Sequence, residues 1–149
     1  MEARVAKRRG VVAVVVENDR LLVIRRSQRV EAPGAYCFPG GAIESGETEQ
    51  DALRREIREE LAGDVELLAR LWESVTDWNV HLVWWQCRWR SPHAPQPNPA
   101  EVESVHWFTA DEIRALPDSL TSNVEFLDAW AGGAFRLDTL DDPSGGVGP

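Results

Sequence analysis

Cysteine is nearly absent from this sequence: Cys37 and Cys87 are the only two. Two thiols make no disulfide framework, so a reducing cytoplasm is the expected compartment. Each reads first as a small core residue and only second as a nucleophile. Basic residues are also few, 16 against 25 acidic ones, which leaves a net charge of −9. That balance argues against a surface for nucleic-acid polymers, which needs Lys and Arg to neutralise phosphates. Long apolar runs are missing as well. Val11–Val16 follows Lys7-Arg8-Arg9 but gives way at once to Glu17, with no small-residue cleavage site. Neither a signal peptide nor a membrane span is expected. There is no internal repeat and no sign of a domain boundary. With 149 residues, 43% of them apolar, the expectation is one domain over residues 1–140. The Gly/Pro-rich acidic stretch 141–149 is expected to be disordered.

What the sequence does have is a dense stretch from Gly40 to Gly63, GGAIESGETEQDALRREIREELAG. Ser45, Gly46 and Thr48 supply turn and cap chemistry around Glu47. From Ala52 to Leu61 neither proline nor glycine interrupts, so helix propensity is high. Leu53, Ile57 and Leu61 recur at helical spacing and form an apolar stripe that must be buried. Glu56, Glu59 and Glu60 fall within about one turn and an arc of ~100° on another face. Like charges at that spacing repel by only about 0.2–0.5 kcal/mol per pair on an exposed helix. Read alone, they describe a solvated acidic surface more simply than a site.

The whole string carries more. Gly41, then Glu47, then Arg55-Glu56-Ile57-Arg58-Glu59-Glu60 at their set spacings resemble the Nudix box, the signature of the Nudix hydrolase family. The box usually ends in glycine and an aliphatic residue, whereas here Ala62 and Gly63 hold those places. Gly63 is then expected to provide the left-handed cap that stops the helix. The resemblance runs from about Gly10 to Trp130, with support from Glu101–Phe108 and Asp111-Glu112-Ile113.

Several expectations follow from this resemblance. It implies an α+β fold, an α/β/α sandwich with a mixed sheet between helices. It implies hydrolysis of a pyrophosphate bond in a nucleoside diphosphate linked to another group: a nucleoside triphosphate, a dinucleoside polyphosphate or a nucleotide sugar. Glu56 and Glu60 would be metal ligands, and Glu59 either a third ligand or the base that takes the proton of water. The main-chain carbonyl of Gly41 would join the metal shell, and Arg55 and Glu47 would orient the carboxylates. In the family a later loop can add a glutamate, for which Glu101 and Glu103 are the candidates; strand alternation can equally leave both in solvent. An all-oxygen donor set suits Mg²⁺, with Mn²⁺ as substitute. His81, His93 and His106 are too scattered for a zinc site. The partner is a small diphosphate substrate rather than a polymer or a membrane, and a homodimer stays open. Two other readings are a nucleotide-binding regulator without turnover and an enzyme like isopentenyl diphosphate isomerase. The latter needs reactive cysteine.

Elsewhere the pattern is mostly β. Val11–Val16 reads as a strand buried on both faces, and Asn18-Asp19 turns the chain into Leu21–Ile24. Arg25, Arg26 and Arg29 form either a solvated loop or a basic lip for phosphates, to which guanidinium groups bond in pairs. Ala35–Phe38 is a short strand, followed by a Pro39-Gly40-Gly41 turn. Val65–Leu71, Trp78–Arg90 and Val102–Phe108 read as strands, and Ser91–Pro99 as a proline-rich loop. Thr109 caps a short helix that Pro117 ends, and Asn123–Trp130 is a terminal helix closed by Gly132-Gly133. Trp107 and Trp130 belong in the core. Trp84 and Trp85 face opposite sides of a sheet, so one of them can stack on a substrate base, and Tyr36 and Trp78 are open to the same role.

Overall fold

Five consecutive residues, Val11–Val15, are shut off from solvent, because a layer of side chains covers each face of the strand that carries them. In a computed structural model, which describes residues 8–138, this is β1 (Arg8–Glu17) at the centre of a mixed seven-stranded sheet. The stretch 141–149 lies outside the described residues.

Asn18 and Asp19 both have left-handed backbones (φ 53° and 62°), which makes a two-residue hairpin turn into β2 (Arg20–Arg26). A short β3 (Tyr36–Cys37) pairs with β2. Gly40 and Gly41, expected in a turn with Pro39, belong instead to a strand, β4 (Gly40–Ala42), antiparallel to Gly10–Val12 of β1. Helix α1 (Glu49–Leu61) follows. Next come β5 (Val65–Val75) and β6 (Val80–Trp89), which form an antiparallel pair. β6 lies parallel to β1 from Arg8–Val80 to Val15–Cys87. β7 (Val102–Phe108) pairs with β2, and α2 (Ala110–Arg114) and α3 (Thr121–Ala131) close the described chain.

Period-2 alternation along β1 feeds two cores. Val11, Ala13 and Val15 pack with Ala52, Leu53, Ile57 and Leu61 of α1. Val12 and Val14 pack on the other face with Ile113, Phe126, Leu127 and Trp130 of α2 and α3. The result is an α/β/α sandwich around a mixed sheet. Burying each of Leu53, Ile57 and Leu61 contributes about 1.5–3 kcal/mol, which holds α1 against the sheet. No helix among the described residues is long and apolar enough to cross a membrane.

Both ends of α1 are closed by specific bonds. Thr48 Oγ1 accepts from the Asp51 amide at 3.0 Å, an N-cap. The C-terminus corrects one expectation: Ala62, not Gly63, takes the left-handed conformation (φ 58°), and its N–H donates to Arg58 O. Gly63 serves a different need. A Cβ there would lie 2.3 Å from the Trp89 ring and 2.8 Å from Ser91 Oγ, so only glycine lets the turn into β5 pass beneath β6. The remaining terminal carbonyls, of Glu59, Glu60 and Leu61, accept from Asn98 Nδ2, Asn98 N and Gln96 N. Pro95, Pro97 and Pro99 have no N–H to give, so every backbone N–H of the Pro95–Pro99 run caps α1.

Ala62→Gly removes the left-handed strain on a residue with a Cβ and is expected to raise unfolding stability by about 1 kcal/mol. Gly63→Ala drives a methyl into Trp89 and is expected to cost about 1–3 kcal/mol. Urea unfolding of the two variants checks both signs.

Candidate active site

Helical spacing puts Glu56 and Glu60 one turn apart on the side of α1 that faces β4, and both are nearly buried, 9% and 6% exposed. The approach is close because Gly41 has no side chain: a Cβ there would fall 2.3 Å from the Glu56 carboxyl carbon. Glu60 Oε1 accepts from the Gly40 amide at 3.1 Å. Glu101 arrives from the end of the proline-rich loop, its carbonyl accepting from Ser27 N and its own N–H donating to Asn98 O. Carboxylate oxygens of Glu56, Glu60 and Glu101 lie within 4.8 Å of one another.

Arg55 organises one side of this group. Its Nε and Nη2 clasp both oxygens of Glu47 at 2.7 and 2.9 Å, and Nη2 also donates to Ala42 O. Its Nη1 donates to Glu56 at 2.9 Å and to Glu59 at 3.2 Å. The Arg55 bonds and the Glu44 amide hold the Glu47 carboxyl down at about 2, so it stays ionised. The opposite holds inside the cluster. Burial pushes Glu56 up to about 7, against the pull of Arg55 and with the charges of Glu59 and Glu101 adding to it. Burial, and then the neighbouring Glu56, raise Glu60 well above the ordinary carboxylate range. Glu60 has a main-chain N–H for a partner and no guanidinium bond, so as an anion it is poorly compensated for its burial.

The structure separates the other candidates. Glu59 stays outside the cluster, half exposed and held by Arg55 alone. Glu103 points to Arg25, 3.7 Å away, and away from the carboxylates. Arg25 is occupied by Gly34 O and the Tyr36 ring; Arg26 donates its Nε–H to Glu31 O and lines a cleft of about 610 Å³ that opens beside Gly40 and Gly41. Phe38, Leu82 and Asn123 line the same cleft, and so does Trp78, which is 67% exposed. Base stacking by Trp84 or Trp85 is not what the packing shows. The Trp84 ring borders the cleft but is 1% exposed and stacks on Phe126 at 4.6 Å. Trp85 lies on the α1 side, its indole N–H donating to Glu49. Leu82, Asn98 and Asn123 belong to no functional motif in the sequence. Of these, Asn98 left a trace there: it is one of only two residues with an N–H inside an alternating proline run.

The comparisons with known proteins fit this geometry. A profile of the NUDIX domain matches residues 6–130. Nucleoside triphosphatase NudI of Enterobacter sp. is 42% identical over 65 residues, 42% of this chain and 46% of that protein. NAD-capped RNA hydrolase NudC of Pseudomonas putida is 28% identical over 121 residues, 72% of this chain and 38% of that protein. The chain thus spans less than half the length of either relative. The crystal structure of a MutT NUDIX hydrolase from Burkholderia pseudomallei superposes with a TM-score of 0.59 at 28% identity, covering 80% of this chain and 93% of that one. By its sequence profile, its fold and its box helix, the chain belongs to the Nudix hydrolase family.

Proposed function

We propose that this chain is a divalent-metal-dependent pyrophosphohydrolase that cleaves a pyrophosphate bond in a nucleoside diphosphate linked to another group. One observation carries the reading: three carboxylates, two of them buried, converge within 4.8 Å with a single guanidinium bond among them. Held without a cation, such a group favours protonation; with a hard cation its all-oxygen donors become a fitting ligand set. Glu56, Glu60 and Glu101 would hold Mg²⁺, or Mn²⁺ in its place, with the Gly41 carbonyl beside them. The bound ion supplies neutralisation of phosphate charge and polarisation of the phosphoryl oxygens.

The remaining roles belong to the chain's own groups. Glu59 is exposed, oriented by Arg55 and outside the cluster, which suits a base that takes the proton of the attacking water. Arg55 and Glu47 fix the angle of Glu56 and Glu59 and do not react. Arg26 meets the phosphates at the cleft. The names of the two relatives, a nucleoside triphosphatase and an NAD-capped RNA hydrolase, both point to nucleotides. The net charge of −9 favours a small substrate over a polymer, and two thiols without a disulfide framework favour the cytoplasm. An isomerase reading draws less support: it needs a reactive cysteine, and Cys37 and Cys87 are both buried in the core against α1, where burial raises their thiols.

A panel of nucleoside triphosphates, dinucleoside polyphosphates, ADP-ribose and nucleotide sugars, assayed with Mg²⁺ and then with chelator, tests the reading. At least one member should be cleaved and chelation should stop it; a panel left intact with both Mg²⁺ and Mn²⁺ rejects the proposal. Glu59→Gln is expected to lower kcat by about 10²–10⁴-fold with an unchanged unfolding curve.

Stability should report the cation independently of turnover. Folded Glu56 keeps its proton up to about pH 7 whereas the unfolded chain releases it near 4.5, so protonation favours the folded state between these values. That stabilisation is complete below the unfolded value and is lost as pH rises through 7. Glu47 adds nothing to the slope there, being ionised in both states. Without metal, Glu56 should make the thermal midpoint fall from pH 6.5 to 8.5, while His106, its pKa lowered by burial and then by Arg25, works in the opposite sense at the low end of that window. Added Mg²⁺ should raise the midpoint more at pH 8.5 than at pH 6.5, and equal shifts at both would contradict the assignment.

A further inference from the structure

Resting on that metal reading, we infer that Asn98 is a positioning residue, which holds Glu101 in register with Glu56 and Glu60. Glu101 belongs to a different element from the other two carboxylates, so its place depends on whatever ties the proline-rich loop to α1. Asn98 supplies that tie with all of its polar groups. Its Nδ2 donates to Glu59 O at 3.0 Å and its backbone N–H to Glu60 O at 2.9 Å. Its carbonyl accepts from the amides of Glu101 and Val102 at 2.9 and 2.7 Å, and its Oδ1 accepts from Ala100 N at 3.1 Å. One residue therefore bonds both the last turn of α1 and the first residue of β7.

The flanking prolines make this a stiff connection. Pro97 and Pro99 fix their own φ angles and bias Gln96 and Asn98 toward extended backbone, which limits the ways the loop can fold away from the helix. On the far side, Ser27 Oγ donates to Ala100 O and Ser27 N to Glu101 O, so the residue that follows β2 fixes the other edge of the segment. Without the Asn98 amide, Glu101 keeps its backbone bonds but loses the side-chain tie to the turn that carries Glu60.

A titration of the full chain with Mn²⁺, following free Mn²⁺ by electron paramagnetic resonance, tests the assignment. The variants are Asn98→Ala, Asn98→Ser, Glu101→Gln and the double substitution Asn98→Ala/Glu101→Gln, each with its thermal midpoint recorded. A serine hydroxyl can still accept from Ala100 N but is too short to reach Glu59 O. Asn98→Ala and Asn98→Ser are both expected to weaken Mn²⁺ binding about tenfold. Glu101→Gln should weaken it too, and adding Asn98→Ala to Glu101→Gln should cost nothing more. Equal losses from Asn98→Ala in both backgrounds would show a general effect on packing and overturn the assignment. So would wild-type affinity in Asn98→Ala or Asn98→Ser. A parent chain that takes up no Mn²⁺ would overturn the metal reading itself, and this inference with it.

Discussion

Carboxylates pressed together away from water are the constraint on which the rest of this structure turns. Glu56 and Glu60 are anchored to a helix whose adjacent stripe is sealed into the core, so they cannot swing out to solvent without moving Leu53, Ile57 and Leu61. Taking a carboxylate out of water costs several kcal/mol unless a counter-charge is near. Arg55 compensates Glu56 directly and a peptide N–H serves Glu60. The imbalance is stored at the point where the cleft meets the helix. On the proposed reading, a hard cation is the counter-charge that this arrangement fits.

Arg55 has a second consequence. A lysine in its place would be a point charge with three donors and no plane to match the two oxygens of a carboxylate. The planar guanidinium instead grips Glu47 with two parallel bonds and then has donors left for Glu56, Glu59 and Ala42 O. Glu47 thus acts as ballast: ionised at any ordinary pH, it fixes the guanidinium plane from which the more labile carboxylates are aimed. The order of residues along the helix is read in this light. Arg55 precedes Glu56 by one residue and Glu59 by four, so a single side chain spans both.

Much of this was legible in the sequence where periodicity or spacing carried it. The apolar stripe of α1, its Thr48 cap, the doubly buried β1 and the Asn18-Asp19 turn each rest on local chemistry, and each is where the pattern put it. What was not legible depended on contacts distant in the chain. Gly40–Ala42 looks like a turn because its glycines are turn residues; it is a strand because β1 offers it an edge. Ala62 and Gly63 trade expected roles because Trp89, 26 residues further on, occupies the space a Cβ would need at Gly63. Trp84 and Trp85 do part to opposite faces, but local alternation says nothing about what waits there, and both sides are already filled. Glu101 and Glu103 look equivalent by alternation. They differ because Glu101 sits before β7 begins, still within reach of Asn98, while Glu103 follows the strand out toward Arg25.

The proline-rich loop shows how a segment without regular structure can be as determinate as a helix. A helix end leaves carbonyls that must find donors, and water is the usual source on an exposed end. Here the donors come from Gln96 and Asn98, placed by residues that have none to offer. Alternating prolines remove competing hydrogen bonds within the loop, so its few N–H groups have nowhere better to go than α1. The helix end is thereby tied to a segment whose next residues include Glu101. If capping were the only demand, any polar loop of similar length would serve; a loop that must also deliver a carboxylate to within 4.8 Å of two others needs a fixed length and a fixed direction. Proline supplies both, at the cost of the flexibility that such a loop would otherwise keep.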